Sequence, residues 1–225
     1  MSARWTILIV GLLVGSLATS SSAAPVIDWD PAYFYETGAT PTHSNLGSEL
    51  KIVGVISAFG PPLADLNAND PSKDYTFVLS GLISDGTSAP IGPPATEFYL
   101  TKYQGGTIQI YEGSPRDSDF DPFPPVGFAD GILLLSGNVS DFYTQTNNFT
   151  AFMTGNAEGK ITWTGGTRLA DMAVDGCPDF FTGGITWYPS LVIPGYLFLH
   201  DGKIDHECPT PARSSTWGRM KKLYR

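Results

Sequence analysis

The run Asp117-Ser118-Asp119-Phe120-Asp121 sets three carboxylates at alternate positions, the way a calcium loop of the EF-hand type begins. A hard divalent cation needs several oxygen ligands converging from one short turn, and the first half of that set is present. The second half is not: the position that should be glycine is Pro122, and the position of the bidentate glutamate is Phe128. Asp130 or Glu112 could complete a partial site, and Asp65, Asn67, Asn69 and Asp70 form a second oxygen cluster. The expectation is therefore no cofactor, with calcium at Asp117, Asp119 and Asp121 as the subordinate alternative. His200 and His206 flank the stretch DGKID. Asp201-Gly202 reads there as a two-residue hairpin turn, and period-two alternation about that turn sends the two rings to opposite faces, where they cannot share an ion.

Other chemistry finds little support. There is no G-x-S-x-G elbow, no H-E-x-x-H helix and no phosphate loop. Glycosidase carboxylates meet only in the fold, so spacing cannot reveal them. The chain is read as non-enzymatic. Ligand stacking rests on Tyr99, Tyr103, Tyr111, Trp163, Trp187 and Tyr188, all on expected strands, where a row facing water would offer ring faces to sugars and burial of the rings would mean core.

These residues need elements to position them. Glycine (25) and proline (18) punctuate the chain, and no helical periodicity persists for three turns between residues 25 and 208. Short alternating or apolar runs recur instead at 50–59, 75–83, 96–103, 107–112, 132–136, 160–164, 185–188, 196–199 and 203–206. That pattern predicts an all-β domain, an antiparallel sandwich with a closed barrel as the alternative. In KITWT, alternation puts Ile161 and Trp163 on a buried face and Thr162 on a wet one. Gly-Gly pairs at 105–106, 165–166 and 183–184 read as tight turns. FVLSGLISD at 77–85 returns as LLLSGNVSD at 133–141, each copy followed by a Gly-Gly pair, which reads as a faint internal duplication of two β-meanders. The proline-rich stretches 61–74 and 113–127 are surface loops, because proline cannot donate to a ladder.

The two ends of the chain differ from its body. Arg4 precedes the apolar run WTILIVGLLVGSL and then small residues, the pattern of a secretory signal peptide over 1–23, too short to span a bilayer. Export is expected, to a periplasm, an outer surface or the medium, with the all-β domain at 24–208 and a basic tail at 209–225. No later segment is apolar for long enough to cross a membrane as a helix. Export permits a disulfide between Cys177 and Cys208, closing a loop worth about 3 to 4 kcal/mol in the chain-entropy treatment. Residues 24–208 hold seven Lys/Arg against all 22 Asp/Glu, so nucleic acid phosphates are repelled. The tail carries five basic residues and no acid. As a short helix it gathers Trp217, Met220 and Tyr224 on one side, with Arg219, Lys221, Lys222 and Arg225 around them, suited to anionic surfaces.

This ending, TWGRMKKLYR, resembles the Trp-Gly, basic, Leu-Tyr-Arg tail of exported all-β proteins of Gram-negative environmental bacteria that have no assigned activity. Looser likeness lies in the body at 105–112, 128–137 and 195–205. The resemblance implies export and a β fold, and nothing catalytic.

Two outcomes follow on the mature protein. Thiol labelling of the unreduced, unfolded chain is expected to find neither Cys177 nor Cys208 reactive, and two labelled sites would contradict the pairing. Deleting 209–225 is expected to leave the melting temperature nearly unchanged while abolishing sedimentation with anionic vesicles at low salt; a full-length protein that does not sediment refutes the anchoring role.

Overall fold

A computed structural model describes residues 25–121, 123–172 and 176–206. Nine strands run in chain order: β1 (Ile27–Glu36), β2 (Glu49–Phe59), β3 (Asp74–Thr87), β4 (Phe98–Gln104), β5 (Thr107–Gly113), β6 (Ile132–Phe149), β7 (Phe152–Gly165), β8 (Asp179–Trp187) and β9 (Phe198–Asp205). A four-residue helix, α1 (Leu169–Met172), lies between β7 and β8. Every pairing is antiparallel, and each strand pairs with its sequence neighbours apart from β4 and β5, which share one position in the wall. The first strand pairs with the last, Ile27 opposite Ile204 and Phe34 opposite Phe198. The sheet is thus a closed up-and-down barrel of eight staves, the barrel and not the sandwich.

The interior is solid. Alternation turns Trp29 and Phe34 of β1, Leu50, Ile52 and Ile56 of β2, Phe77 and Leu79 of β3, Phe142 of β6 and Phe181 of β8 inward, all buried. Trp29 sits at the centre, its ring 4.9 Å from those of both Phe77 and Phe181. Small residues make room for these rings. A Cβ on Gly54 of β2 would lie 2.3 Å from Phe77, so the wall carries glycine where the central ring presses against it. On the outside of β6 and β7, Asn138, Ser140 and Thr162 are exposed, whereas a barrel in lipid presents an apolar band there. Among the described residues no helix is long and apolar enough to cross a membrane.

The two ends of the barrel differ in chemistry. At the end where β1 begins and β9 finishes, the loop after β2 tucks Leu63 and Ala68 into the core. Arg168, just before α1, holds that loop through both carboxylate oxygens of Asp65 (2.7 and 3.0 Å). At the opposite end the interior becomes polar: Glu36, Ser44, Ser84, Thr101, Thr144 and Thr146 are all buried. There the segment after β1 lies across the opening, with Ser44 Oγ 2.6 Å from both Glu36 Oε1 and Ser84 Oγ. One hydroxyl carries one proton, so Ser44 donates to the carboxylate and accepts from Ser84.

A second, smaller apolar cluster lies outside the wall. Tyr33, Val53, Val78 and Leu199 point outward from β1, β2, β3 and β9 and are covered by Phe120 and Phe128 of one loop and by Val192, Ile193 and Tyr196 of another. The Tyr196 phenol donates to the Phe120 carbonyl (3.0 Å) and Thr76 Oγ1 to that of Phe128 (3.0 Å), locking both loops down.

Several expectations are corrected here. Asp201-Gly202 is not a turn: β9 runs straight through it, paired on one side with β8 and on the other with β1. Gly183-Gly184 likewise lies within β8, and Gly105-Gly106 joins two collinear strands without reversing the chain. Only Gly165-Gly166 ends a strand. The two LSG copies fall on β3 and β6, and Ser80 faces Thr107 beside one Gly-Gly pair as Ser136 faces Gly165 of another.

Candidate functional site

The wall of the barrel is broken at one place. The β4–β6 ladder stops at Tyr103 opposite Phe142, and the β5–β6 ladder starts at Thr107 opposite Asn138. Between these points, residues 104–106 face residues 139–141 out of register, joined by one bond from the Val139 N–H to the Gly106 carbonyl (2.9 Å). Both strands are bent there by unusual backbone. Gly105 and Gly106 have φ of +69° and +107°, and a Cβ on Gly106 would lie 2.7 Å from Leu82, so the joint needs glycine on both counts. Opposite them Asp141 adopts φ of +53°, a conformation that costs a non-glycine residue about 1 kcal/mol or more and tends to collect where strands re-aim side chains for function.

The opposed bulges open a groove of about 710 Å³, within the size range of small-molecule sites. Val139, Tyr103 and Phe142 contribute buried residues to it, and Asp85, Lys102, Gln104, Gly105, Ser140, Asp141 and Tyr143 complete the lining. Several of its polar groups are paired. Gln104 Nε2 donates to Asp85 (2.7 Å), Lys160 Nζ to Asp141 (2.7 Å), and the Tyr143 phenol to Glu158, which also accepts from Asn156 (2.6 Å). The Glu158 carboxylate holds the Tyr143 proton in place, pushing its pKa up to about 12. Lys102 has no ion-pair partner within 4 Å among the described residues. The groove can therefore offer a cation and oriented acceptors.

The residues singled out from sequence do not converge. Tyr103 and Trp163 are buried, Tyr99, Tyr111 and Trp187 are half-buried, and only Tyr188 is exposed, so these six make no water-facing row. Tyr103 points its phenol at Glu36 (3.3 Å), and Trp163 Nε1 donates to the buried Asp179 (2.5 Å). Asp119 spends one carboxylate oxygen on the Asp121 N–H (2.9 Å), and among the described residues no three His, Cys, Asp or Glu side chains gather as they would around an ion. The loop that carries them is held by Asp74, whose carboxylate accepts from the Ser118 N–H (2.9 Å). Cys177 lies within the described residues and Cys208 outside them. Residues 1–23 and the tail with Trp217, Arg219, Lys221, Lys222, Tyr224 and Arg225 also lie outside.

Two buried carboxyls and one buried imidazole are perturbed. Burial raises the Glu36 pKa against the opposing bonds from Ser44 and Tyr103, and it raises that of Asp179 against the bonds from Trp163 and His206, whose Nδ1 lies 2.6 Å away. His200 is fully enclosed. Its Nδ1 accepts from Trp29 Nε1 (3.0 Å), which places its own proton on Nε2, and its ring stacks on Phe181 at 5.3 Å. Nε2 faces the backbone of Gly183, where a Cβ would lie 2.5 Å from it, and makes no well-formed bond. Sequence missed this site because the supposed turn at 201–202 hid the inward face of β9. The Gly-Gly pair at 183–184 was the available signal, a strand glycine marking close approach by a neighbour.

Burial lowers the His200 pKa to about 3, from an unfolded value near 6.5. Below about pH 6.5 the unfolded chain takes up a proton that the folded one excludes, so stability falls with acidification by up to about 1.4 kcal/mol per pH unit until the folded pKa is reached. Glu36 and Asp179, raised in the fold, act with the opposite sign nearer the carboxylate range, so the imidazole effect is cleanest between pH 6.5 and 5. Urea denaturation at pH 7 and 5.5 is expected to show this loss in the native sequence and not in His200→Gln, while the His200 ring nitrogens keep the shifts of a neutral Nε2–H tautomer at pH 5. An equal loss in His200→Gln contradicts the assignment. In comparisons of the chain with family models, with curated proteins and with solved structures, nothing matches.

Proposed function

We propose that this is an exported, non-enzymatic binding protein whose rigid barrel displays a groove for a small polar ligand. The observation that carries the reading is the break in the wall between 104–106 and 139–141. Among the described residues Trp29, Phe77, Phe142 and Phe181 fill the interior, and the joint with its positive-φ residues opens space at the wall. Paired polar groups around buried side chains are what a small ligand with hydroxyl or charged groups requires.

Export rests on the leader pattern at 1–23, and the clasp between Cys177 and Cys208 is part of the same reading. A structural or adhesive role remains the second reading, favoured by the solid interior and the locked outer loops.

The groove is tested by following backbone amides in NMR spectra during titration with millimolar monosaccharides, sugar acids and amino acids. At least one of these classes is expected to shift amides within 102–105 and 139–143, and Ser140→Trp, which fills the groove from its exposed rim, is expected to abolish the shifts. Absence of shifts at those positions with every class refutes the reading.

A further inference from the structure

In a domain with far more carboxylates than basic groups, a cation is ordinarily taken up by an acid. Lys51, Lys73, Arg116, Lys160, Arg168 and Lys203 each stand within 4 Å of an Asp or Glu carboxylate. Among the described residues Lys102 alone of the Lys and Arg side chains has no such partner, and it lines the groove. The carboxylates around it divide in the same way. Asp141 is neutralised by Lys160 (2.7 Å), and Glu158, next to Tyr143, spends one oxygen on the Tyr143 phenol and the other on Asn156. Asp85 meets only a neutral group: its Oδ1 accepts from Gln104 Nε2 (2.7 Å), and no Lys or Arg of the described residues pairs with it.

The fold sets these two uncompensated charges side by side. Ser84 pairs with Tyr103 and Thr87 with Thr101, so the register shift between them leaves Asp85 and Gly86 opposite Lys102. Ser84, Thr101 and Tyr103 are buried, whereas Asp85, Lys102 and Gln104 are exposed, which puts both charges on the outer face of the wall. On the other flank Lys102 pairs with Tyr143 and Tyr143 with Glu158, so the phenol is tied on the side away from Lys102 and the ring is held beside the lysine.

A cation and an anion on one groove, not joined to each other, match a ligand that carries both. A phosphate or a sugar acid brings net negative charge to an acidic domain and meets Asp85 and Asp141 around a single lysine. A neutral sugar leaves Lys102 without an anionic acceptor. A zwitterion approaches without net repulsion and makes two charge-assisted bonds, its carboxylate accepting from Lys102 and its ammonium donating to Asp85. We infer that the groove takes a small zwitterion of the α-amino acid class, with the ligand's side chain along the Tyr143 ring. This rests on the reading of the groove as a ligand site and adds the class of ligand.

The test is NMR titration of the native protein with leucine, glutamine and tyrosine, each compared with its carboxamide, which lacks the carboxylate, and its N-acetyl form, which lacks the ammonium. Glucose and glucuronate serve as the neutral sugar and the sugar acid. At least one amino acid is expected to shift amides within 102–105 and 139–143, and both of its blocked forms are expected to bind about tenfold more weakly or worse. Lys102→Gln is expected to lose about tenfold for the same amino acid, and Lys102→Arg to keep most of the affinity. The blocked ligands probe the same two contacts without altering the protein. The inference is overturned if a blocked form binds as well as the amino acid, or if Lys102→Gln binds it unchanged. It is overturned, with the groove reading left standing, if glucose or glucuronate shifts these amides and no amino acid does. Absence of shifts with every probe overturns both.

Discussion

The hydrogen bond from Trp29 to His200 joins the first strand to the last, and the barrel depends on what surrounds it. Closure leaves the sheet no edge, so backbone groups that would otherwise meet solvent or another chain are paired within the wall. The ring of staves closes around a fixed volume, and that volume is filled by Trp29, Phe34, Phe77, Phe142 and Phe181, with His200 stacked among them. A neutral imidazole is required there: it is flat enough to stack and basic enough to accept from the indole, and it stays uncharged because burial lowers its pKa. Glycine at 54, 183 and 202 follows from the same constraint, since each gives way to one of these rings.

A solid interior moves function to the surface. The polar end is closed by its own serine and threonine hydroxyls, leaving a void of only about 20 Å³ beside them, near the volume one water needs. What remains are places where the wall departs from regularity. The opposed bulges at 104–106 and 139–141 are such a place. They lie on a scaffold that does not need to move to present them.

The all-β class was legible because alternation survives wherever one face is apolar, as in KITWT, where Ile161 and Trp163 are buried and Thr162 is exposed. Closure was legible only as the alternative to a sandwich, for a specific reason: β1 reads as IDWDPAYFYE, and its acids and proline disguise a strand that bulges between Trp29 and Ala32. Without β1 there is no partner for β9, and a sandwich becomes the first expectation. The length of β6 was hidden in the same way, since Thr144 and Thr146 face a polar interior and break the apolar pattern. The groove depends on register between bulges more than thirty residues apart, which no local pattern encodes.

The central claim is that β1 and β9 close the barrel around a buried Trp29–His200 pair. The direct measurement is a through-bond nitrogen–nitrogen coupling across that hydrogen bond, with nuclear Overhauser contacts between the Ala32 and His200 backbones, which the register places opposite each other. Closure predicts both, together with slow exchange of the Trp29 indole proton. Absence of the cross-strand contacts, with an indole proton that exchanges at the rate of an exposed one, would mean that the sheet is open between its first and last strands.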